Sequence, residues 1–306
     1  MKIVFIGGVK FSYEILHHIL RNGWEVSTVF TYKKTKRKLY SDMKSFNQLI
    51  SKYNIKHIDV DNINDKKNVK ILKKIQPDLI LVMGWSQLLK SEIIKIAKLG
   101  VIGSHPTELP KFRGRAPIPW SILKGLKKSA LTFFYIENGI DNGDILDQQK
   151  FEIRSNDDAT TIYKKIISIG KKMILKNLKL IENGKAKRKK QDEKKFIENW
   201  GKRTPEDGKI FWEKNSKTIH NLIRASTNPY PGAFTFFDRK KLVIWKSKLC
   251  EGKNFESGKI LDVTSRGVKI GTKNGSLILK TVSFGRFKEV SASQIFTKND
   301  IGKILG

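Results

Sequence analysis

Short β-branched runs alternate with amphipathic segments through the first 150 residues, and that alternation leaves few architectures open. Residues 2–6 form an apolar run, and residues 11–21 follow with Ile15, Leu16, Ile19 and Leu20 at helical spacing. Further strands are predicted at 26–31, 57–60, 79–83 and 101–103, with helices at 45–53, 67–75 and 91–97. The run 79–83 is apolar throughout, as a strand buried on both faces of a parallel sheet requires. The pattern predicts an α/β fold: a doubly wound, Rossmann-like parallel sheet whose ligands gather at the carboxyl ends of its strands. Strands at 131–136 and 143–151 and a long helix at 159–183 complete a predicted catalytic domain over 1–183.

Residues 184–202 open on a basic, nearly aromatic-free stretch that reads as an exposed linker. Beyond it, over 203–306, the pattern changes to one helix at 216–225, the rigid turn Pro229-Tyr230-Pro231-Gly232 and short glycine-split strands. Strands at 233–237, 241–246, 258–263, 268–271 and 277–282 fit a small β-barrel of the OB kind.

The 306 residues carry 61 Lys and Arg against 29 Asp and Glu, a net charge of +32. Fifty of those cations are lysine and 11 are arginine, whereas base readout and bidentate phosphate clamps favour arginine. Two runs stand out, 33–38 and 185–190, and solvated surface is their simplest reading. The charge is compatible with an anionic partner without specifying one. One cysteine, Cys250, permits no internal disulfide and no cysteine metal cluster, so no metal is expected. No apolar run is long enough to span a bilayer, and the expected location is the cytoplasm.

Three segments carry candidate chemistry. Gly7-Gly8 after the first strand, with Lys10 behind it, is a candidate cradle for an anionic substrate group, and a plain tight turn is the competing reading. Residues 103–120 hold four of the eight prolines and end an apolar strand at His105, a residue able to exchange a proton near neutral pH. Residues 137–144, Glu-Asn-Gly-Ile-Asp-Asn-Gly-Asp, place carboxylates on a sharp turn that could orient an imidazole. A calcium loop would need more alternating oxygen ligands and a distal glutamate.

The run from His105-Pro106 through Leu109-Pro110, Arg113-Gly114 and Pro117, with Asp141-x-Gly143-Asp144 after it, resembles the folate-dependent formyltransferases. Residues 201–208, 219–225 and 228–233 extend the resemblance over nearly the whole chain. The resemblance implies 10-formyltetrahydrofolate as formyl donor, with His105 and Asp141 as the essential pair. It implies a folate pocket from Gly84, Trp85, Gln87, Leu88 and Leu89, read largely through backbone groups, and from Leu109, Pro110, Glu137, Asn138, Gly139 and Ile140. Gly8, Lys10, Arg113 and Arg115 are its candidate acceptor contacts. Two positions depart from the pattern: Gly103 stands where the family has an asparagine that helps hold the formyl oxygen, and Glu108 stands where leucine is common. Gly103 and Ser104 therefore mark the oxyanion region. Losing such a donor costs about 2.7–4 kcal/mol of transition-state stabilisation.

Within the family, the two-domain length fits the nucleotide-sugar formyltransferases and the methionyl-tRNA formyltransferases. The motifs at 203–208 and 220–225 are most similar to the nucleotide-sugar branch, and the basic segment after the second strand is short for gripping an acceptor stem. The expected acceptor is a 4-amino sugar on UDP or dTDP, with tRNA as the alternative and a catalytically weak folate- or nucleotide-binding protein as the lesser one. A homodimer is compatible with either plan.

Overall fold

The computed structural model describes residues 1–33, 41–250, 252 and 254–306. Most of the basic run 33–38 lies outside the described residues. The chain divides into two compact units: residues 1–117, 128–152 and 163–202 form the first, and 118–127, 153–162 and 203–306 the second.

The first unit is built on a seven-stranded sheet. Its strands are β1 (Ile3–Gly7), β2 (Val26–Tyr32), β3 (Lys56–Val60), β4 (Leu79–Met83), β5 (Val101–His105), β7 (Lys128–Tyr135) and β8 (Ile145–Glu152). They lie in the order β3-β2-β1-β4-β5-β7-β8. The first five run parallel, while β7 pairs antiparallel with β5 and β8 antiparallel with β7. The sheet is thus mixed rather than wholly parallel. Helices α1 (Lys10–Arg21), α2 (Asn47–Lys52), α3 (Lys66–Ile75) and α4 (Ser91–Ile94) connect the parallel strands. Every residue of β1 and of β4 is buried, which explains their unbroken apolar sequences. Two further strands were not legible in the sequence. These are β6 (Phe112–Gly114) and β9 (Glu198–Trp200), which form a small parallel pair with Phe112 stacked on Trp200.

Ser12 ties the first turn to the sheet. Its hydroxyl donates to the Met83 carbonyl (2.6 Å) and accepts from the Gly8 and Val9 amides (both 3.2 Å), all of it buried. A Cβ on Gly8 would meet the Tyr32 ring at 2.7 Å, so glycine here serves close packing. Lys44 N donates to the Gly8 carbonyl and Lys10 N to the Asp42 carbonyl, which pins the segment before α2 against this turn. Burial pushes the Asp42 carboxyl above its ordinary range, and the Tyr163 hydroxyl donates to it at 2.7 Å.

The second unit wraps a six-stranded antiparallel, barrel-like sheet around its own core. It comprises β10 (Ala233–Phe237), β11 (Lys240–Cys250), β12 (Ile260–Thr264), β13 (Gly267–Gly271), β14 (Ser276–Phe284) and β15 (Phe287–Ser291). The order is β10-β11-β14-β13-β12, with β15 paired to β14. Helix α7 (Ser216–Ser226) buries Ile219 and Ile223 among Leu242, Ile244, Leu277 and Leu279. Two helices, α5 (Pro117–Leu123) and α6 (Ala159–Glu182), have parts in both units.

On α7, the His220 ring sits 2.9 Å from the Ser247 hydroxyl through Nδ1. Burial, reinforced by the neighbouring Arg224 charge, lowers its pKa to about 4. The folded form therefore prefers a neutral ring, and that stability is complete above the ordinary histidine pKa and lost as pH falls through 4. Unfolding measured between pH 7 and 4 should show a shallower acid-side loss for His220→Gln than for wild type. Parallel profiles for the two proteins would contradict the burial of a neutral histidine.

Candidate active site

His105 ends β5 at the sheet's carboxyl edge and is buried. Its Nδ1 lies 3.5 Å from Asp141 Oδ2, and its Nε2 lies 3.2 Å from the Phe112 carbonyl. The loop that follows is held from beneath by polar contacts. Thr107 Oγ1 donates to the Phe112 carbonyl (2.5 Å), Thr132 Oγ1 to the Thr107 carbonyl (2.7 Å) and Gln148 Nε2 to the Leu109 carbonyl (3.0 Å). A loop fixed this way presents a side chain without help from a helix.

Asp141 reaches His105 from the turn between β7 and β8, with its backbone in the left-handed region at φ 49°. A Cβ on Gly143 would lie 1.8 Å from the Tyr135 carbonyl, so no side chain fits there. The Gly114 amide donates to Asp141 Oδ2 at 2.9 Å, leaving the carboxylate poised between that amide and the imidazole. Such a pair can take up and return a proton as one unit.

The expected folate residues divide by what they offer. Gly84 turns the chain at φ 58° and Trp85 stacks on Tyr32 with ring centroids 3.6 Å apart. The Gln87 side chain is committed to the fold, donating to the Asp61 carbonyl (2.7 Å) and accepting from the Ile63 amide (3.0 Å). Leu89 is buried in the core, whereas Leu88 is exposed. Among the described residues, the backbone amides of Gln87, Leu88 and Leu89 make no hydrogen bond within the chain. Leu109 packs with Phe134 and Ile145, and Pro110 is buried as well. Across the site, Glu137, Asn138, Gly139 and Ile140 form an exposed loop. The free amides suit a flat heterocycle with hydrogen-bonding edges, read by main-chain donors.

The candidate acceptor contacts separate in the same way. The Gly8 amide donates to Ser12 Oγ and its carbonyl accepts from the Lys44 amide, so both groups are engaged within the chain. Arg113 is buried, with its guanidinium donating to both carboxylate oxygens of Glu193 and to Gln191 Oε1 (2.8 Å). These bonds tie β6 to the stretch that holds Gln191 and Glu193. Lys10 and Arg115 are exposed. Glu108 pairs with Lys150 (2.8 Å) and Lys111 (3.1 Å), which accounts for its charge at a position where leucine is common.

Gly103 has a local explanation. A Cβ there would meet Ile136 at 2.9 Å and Phe134 at 3.1 Å. The space that a larger residue would occupy is filled by apolar side chains, so an asparagine at this position requires Ile136 to move.

The residue that sequence reasoning missed is Gln191. It lies in the stretch expected to be an exposed linker, yet it is buried, and residues 184–202 belong to the first unit. Its only sequence signal is an uncharged side chain directly after Lys189-Lys190. Among the described residues no group of three or more His, Cys, Asp or Glu is placed to hold a metal ion.

The chain is similar over its whole length to the methionyl-tRNA formyltransferases of Clostridioides difficile strain 630, at 31% identity, and Clostridium tetani strain Massachusetts, at 32%. It covers 100% of the first and 98% of the second. Among solved structures, it superposes on the sugar 3N-formyltransferase WlaRD with a TM-score of 0.67 at 24% identity, covering 94% of this chain and 99% of that one. A methionyl-tRNA formyltransferase from Clostridium thermocellum superposes with a TM-score of 0.56 at 21% identity, covering 83% and 95%. HypX from Aquifex aeolicus, in complex with tetrahydrofolic acid, gives 0.67 at 20% identity over 96% of this chain, which spans about half the length of HypX. These likenesses establish a shared fold. The formyl transferase family model matches residues 1–178 and the formyl transferase C-terminal domain model matches 202–300; the chain belongs to the formyl transferase family.

Proposed function

We propose that this formyltransferase moves a formyl group from 10-formyltetrahydrofolate to the amino group of a nucleotide-linked 4-amino sugar. The observation that carries the formyl-transfer chemistry is the His105–Asp141 pair, 3.5 Å apart at the sheet's carboxyl edge. Beside it, the unpaired amides of residues 87–89 suit the pterin edge of the donor. An amine attacks only when neutral, so its proton must leave as the new C–N bond forms. Asp141 and His105 together accept that proton and return one to the departing folate nitrogen. With Gly103 lacking a side chain, donation to the developing negative charge on the formyl oxygen falls to His105 and to nearby backbone amides.

Three observations support the sugar acceptor. The motifs at 203–208 and 220–225 resemble the nucleotide-sugar branch. The stretch from Thr31 to Ser45, between the second strand and the next helical segment, is basic but short for gripping an acceptor stem. The sugar enzyme WlaRD also superposes over more of this chain than the tRNA enzyme does. A tRNA acceptor is the second reading, and the full-length identities of 31% and 32% to methionyl-tRNA formyltransferases favour it more strongly than the 24% likeness to WlaRD favours a sugar. The net charge of +32 is compatible with it as well.

The catalytic pair should behave as one unit. His105→Asn and Asp141→Asn are each expected to lower kcat by orders of magnitude while leaving folate affinity within a few fold. The double variant should be little worse than either single one. Multiplicative losses would mean that the two act separately.

The acceptor is decided by competition. UDP- and dTDP-linked 4-amino sugars and charged initiator tRNA should be offered in parallel with 10-formyltetrahydrofolate, and formyl transfer followed by mass. A sugar product is expected, with modest sensitivity to salt. Efficient tRNA formylation that falls by orders of magnitude between low and moderate salt would replace the sugar with tRNA as acceptor.

A further inference from the structure

We propose that Gln191 is a positioning residue that fixes Asp141 against His105. One Gln191 side chain joins three parts of the site. Its amide nitrogen donates to the Asp141 carbonyl (2.8 Å) and to the Gly143 carbonyl (2.7 Å), gripping the turn on both sides of Asn142. Its amide oxygen accepts from Arg113, whose guanidinium is held in turn by Glu193. Gly114, next in the chain after Arg113, supplies the amide that donates to the Asp141 carboxylate. Gln191 therefore ties the backbone of Asp141 to the strand that holds its carboxylate.

The turn needs such a tie. A non-glycine residue in the left-handed region stores strain of about 1–3 kcal/mol and persists only where its surroundings over-determine it. Asp141 is in that conformation, and its neighbours from Glu137 to Ile140 and Asn142 are exposed and contribute little packing. Gly143 brings the chain close to the Tyr135 carbonyl but leaves the direction of Asp141 open. The two bonds from Gln191 close that freedom. Burial sets Gln191 apart from its surroundings: it is 7% exposed, whereas residues 187–190 and 192–196 are all exposed. A buried amide in a solvated, charged stretch finds its three hydrogen-bond partners only because the site supplies them.

The proposal rests on formyl-transfer activity and not on the identity of the acceptor. Two variants test it. Gln191→Met keeps the length of the side chain without its polar head, and Gln191→Glu keeps an acceptor for Arg113 while removing both amide donors. Each is assayed with 10-formyltetrahydrofolate and whichever of the dTDP-linked amino sugar or charged initiator tRNA the wild type formylates. Binding of folinic acid and exchange of the Gly114 amide proton are measured on the same proteins without any acceptor. A displacement of about 1 Å at a reacting group costs about 100-fold in rate. Both variants are expected to lose about that much kcat, to bind folinic acid within threefold of wild type and to exchange the Gly114 amide faster. Wild-type kcat in either variant, or unchanged Gly114 exchange, overturns the positioning role. A parallel fall in kcat and folinic acid affinity also overturns it, because that result means general collapse of the loop. Failure of the sugar reading appears separately, as a wild type that formylates tRNA alone.

Discussion

The site depends on holding a carboxylate beside a buried imidazole from two segments far apart in the chain. His105 is delivered by a strand end, where a sheet buried on both faces gives it a rigid base. Asp141 comes from a turn, and turns are weak supports unless side chains from elsewhere fasten them. The structure meets that requirement with the Gly114 amide on the carboxylate, Gln191 on the backbone and a glycine at 143 that allows the chain to pass the Tyr135 carbonyl. The mixed sheet sharpens that need. Because β7 returns antiparallel beside β5, its carboxyl end lies away from His105, and the turn must fold back before Asp141 can face the ring.

Much of this was legible in the sequence. The alternation of strand and helix, with apolar runs at 3–7 and 79–83, dictated the parallel part of the sheet and hence the edge on which the site would lie. The proline-rich loop after His105 and the glycine-bracketed Asp141 marked two residues that the structure brings together, because unusual backbone demands leave unusual residues. Other elements left no local trace. Strand β9 reads as ordinary linker, since its partner β6 lies more than 80 residues earlier and supplies the stacking for Trp200. Gln191 was hidden for the same reason: both carbonyls it grips are about 50 residues away, and its own neighbours, Lys190 and Asp192, are exposed charged residues. Arg113 and Gly8, two of the candidate acceptor contacts, have hydrogen-bond partners within the chain that no local pattern announces.

The position at 103 links packing to chemistry. Ile136 and Phe134 fill the space over Gly103, so the apolar core extends to the edge of the oxyanion region. Where a side-chain donor is replaced by apolar packing, the remaining donors carry a larger share of the stabilisation. Loose placement of the catalytic pair is then less tolerable, which is consistent with the number of bonds spent on holding Asp141. Net charge plays a different part. The excess of lysine acts over long range on any anionic substrate and is screened by salt, whereas the buried pair and its clamp are not.

If folate binds at the His105–Asp141 pair, a crystal structure of the protein with folinic acid will show it there. The pterin should lie along the backbone amides of residues 87–89, with the N10 end of the folate reaching within about 3 Å of His105 or Asp141. A folate bound elsewhere, or one whose N10 end faces away from both residues, would contradict the account.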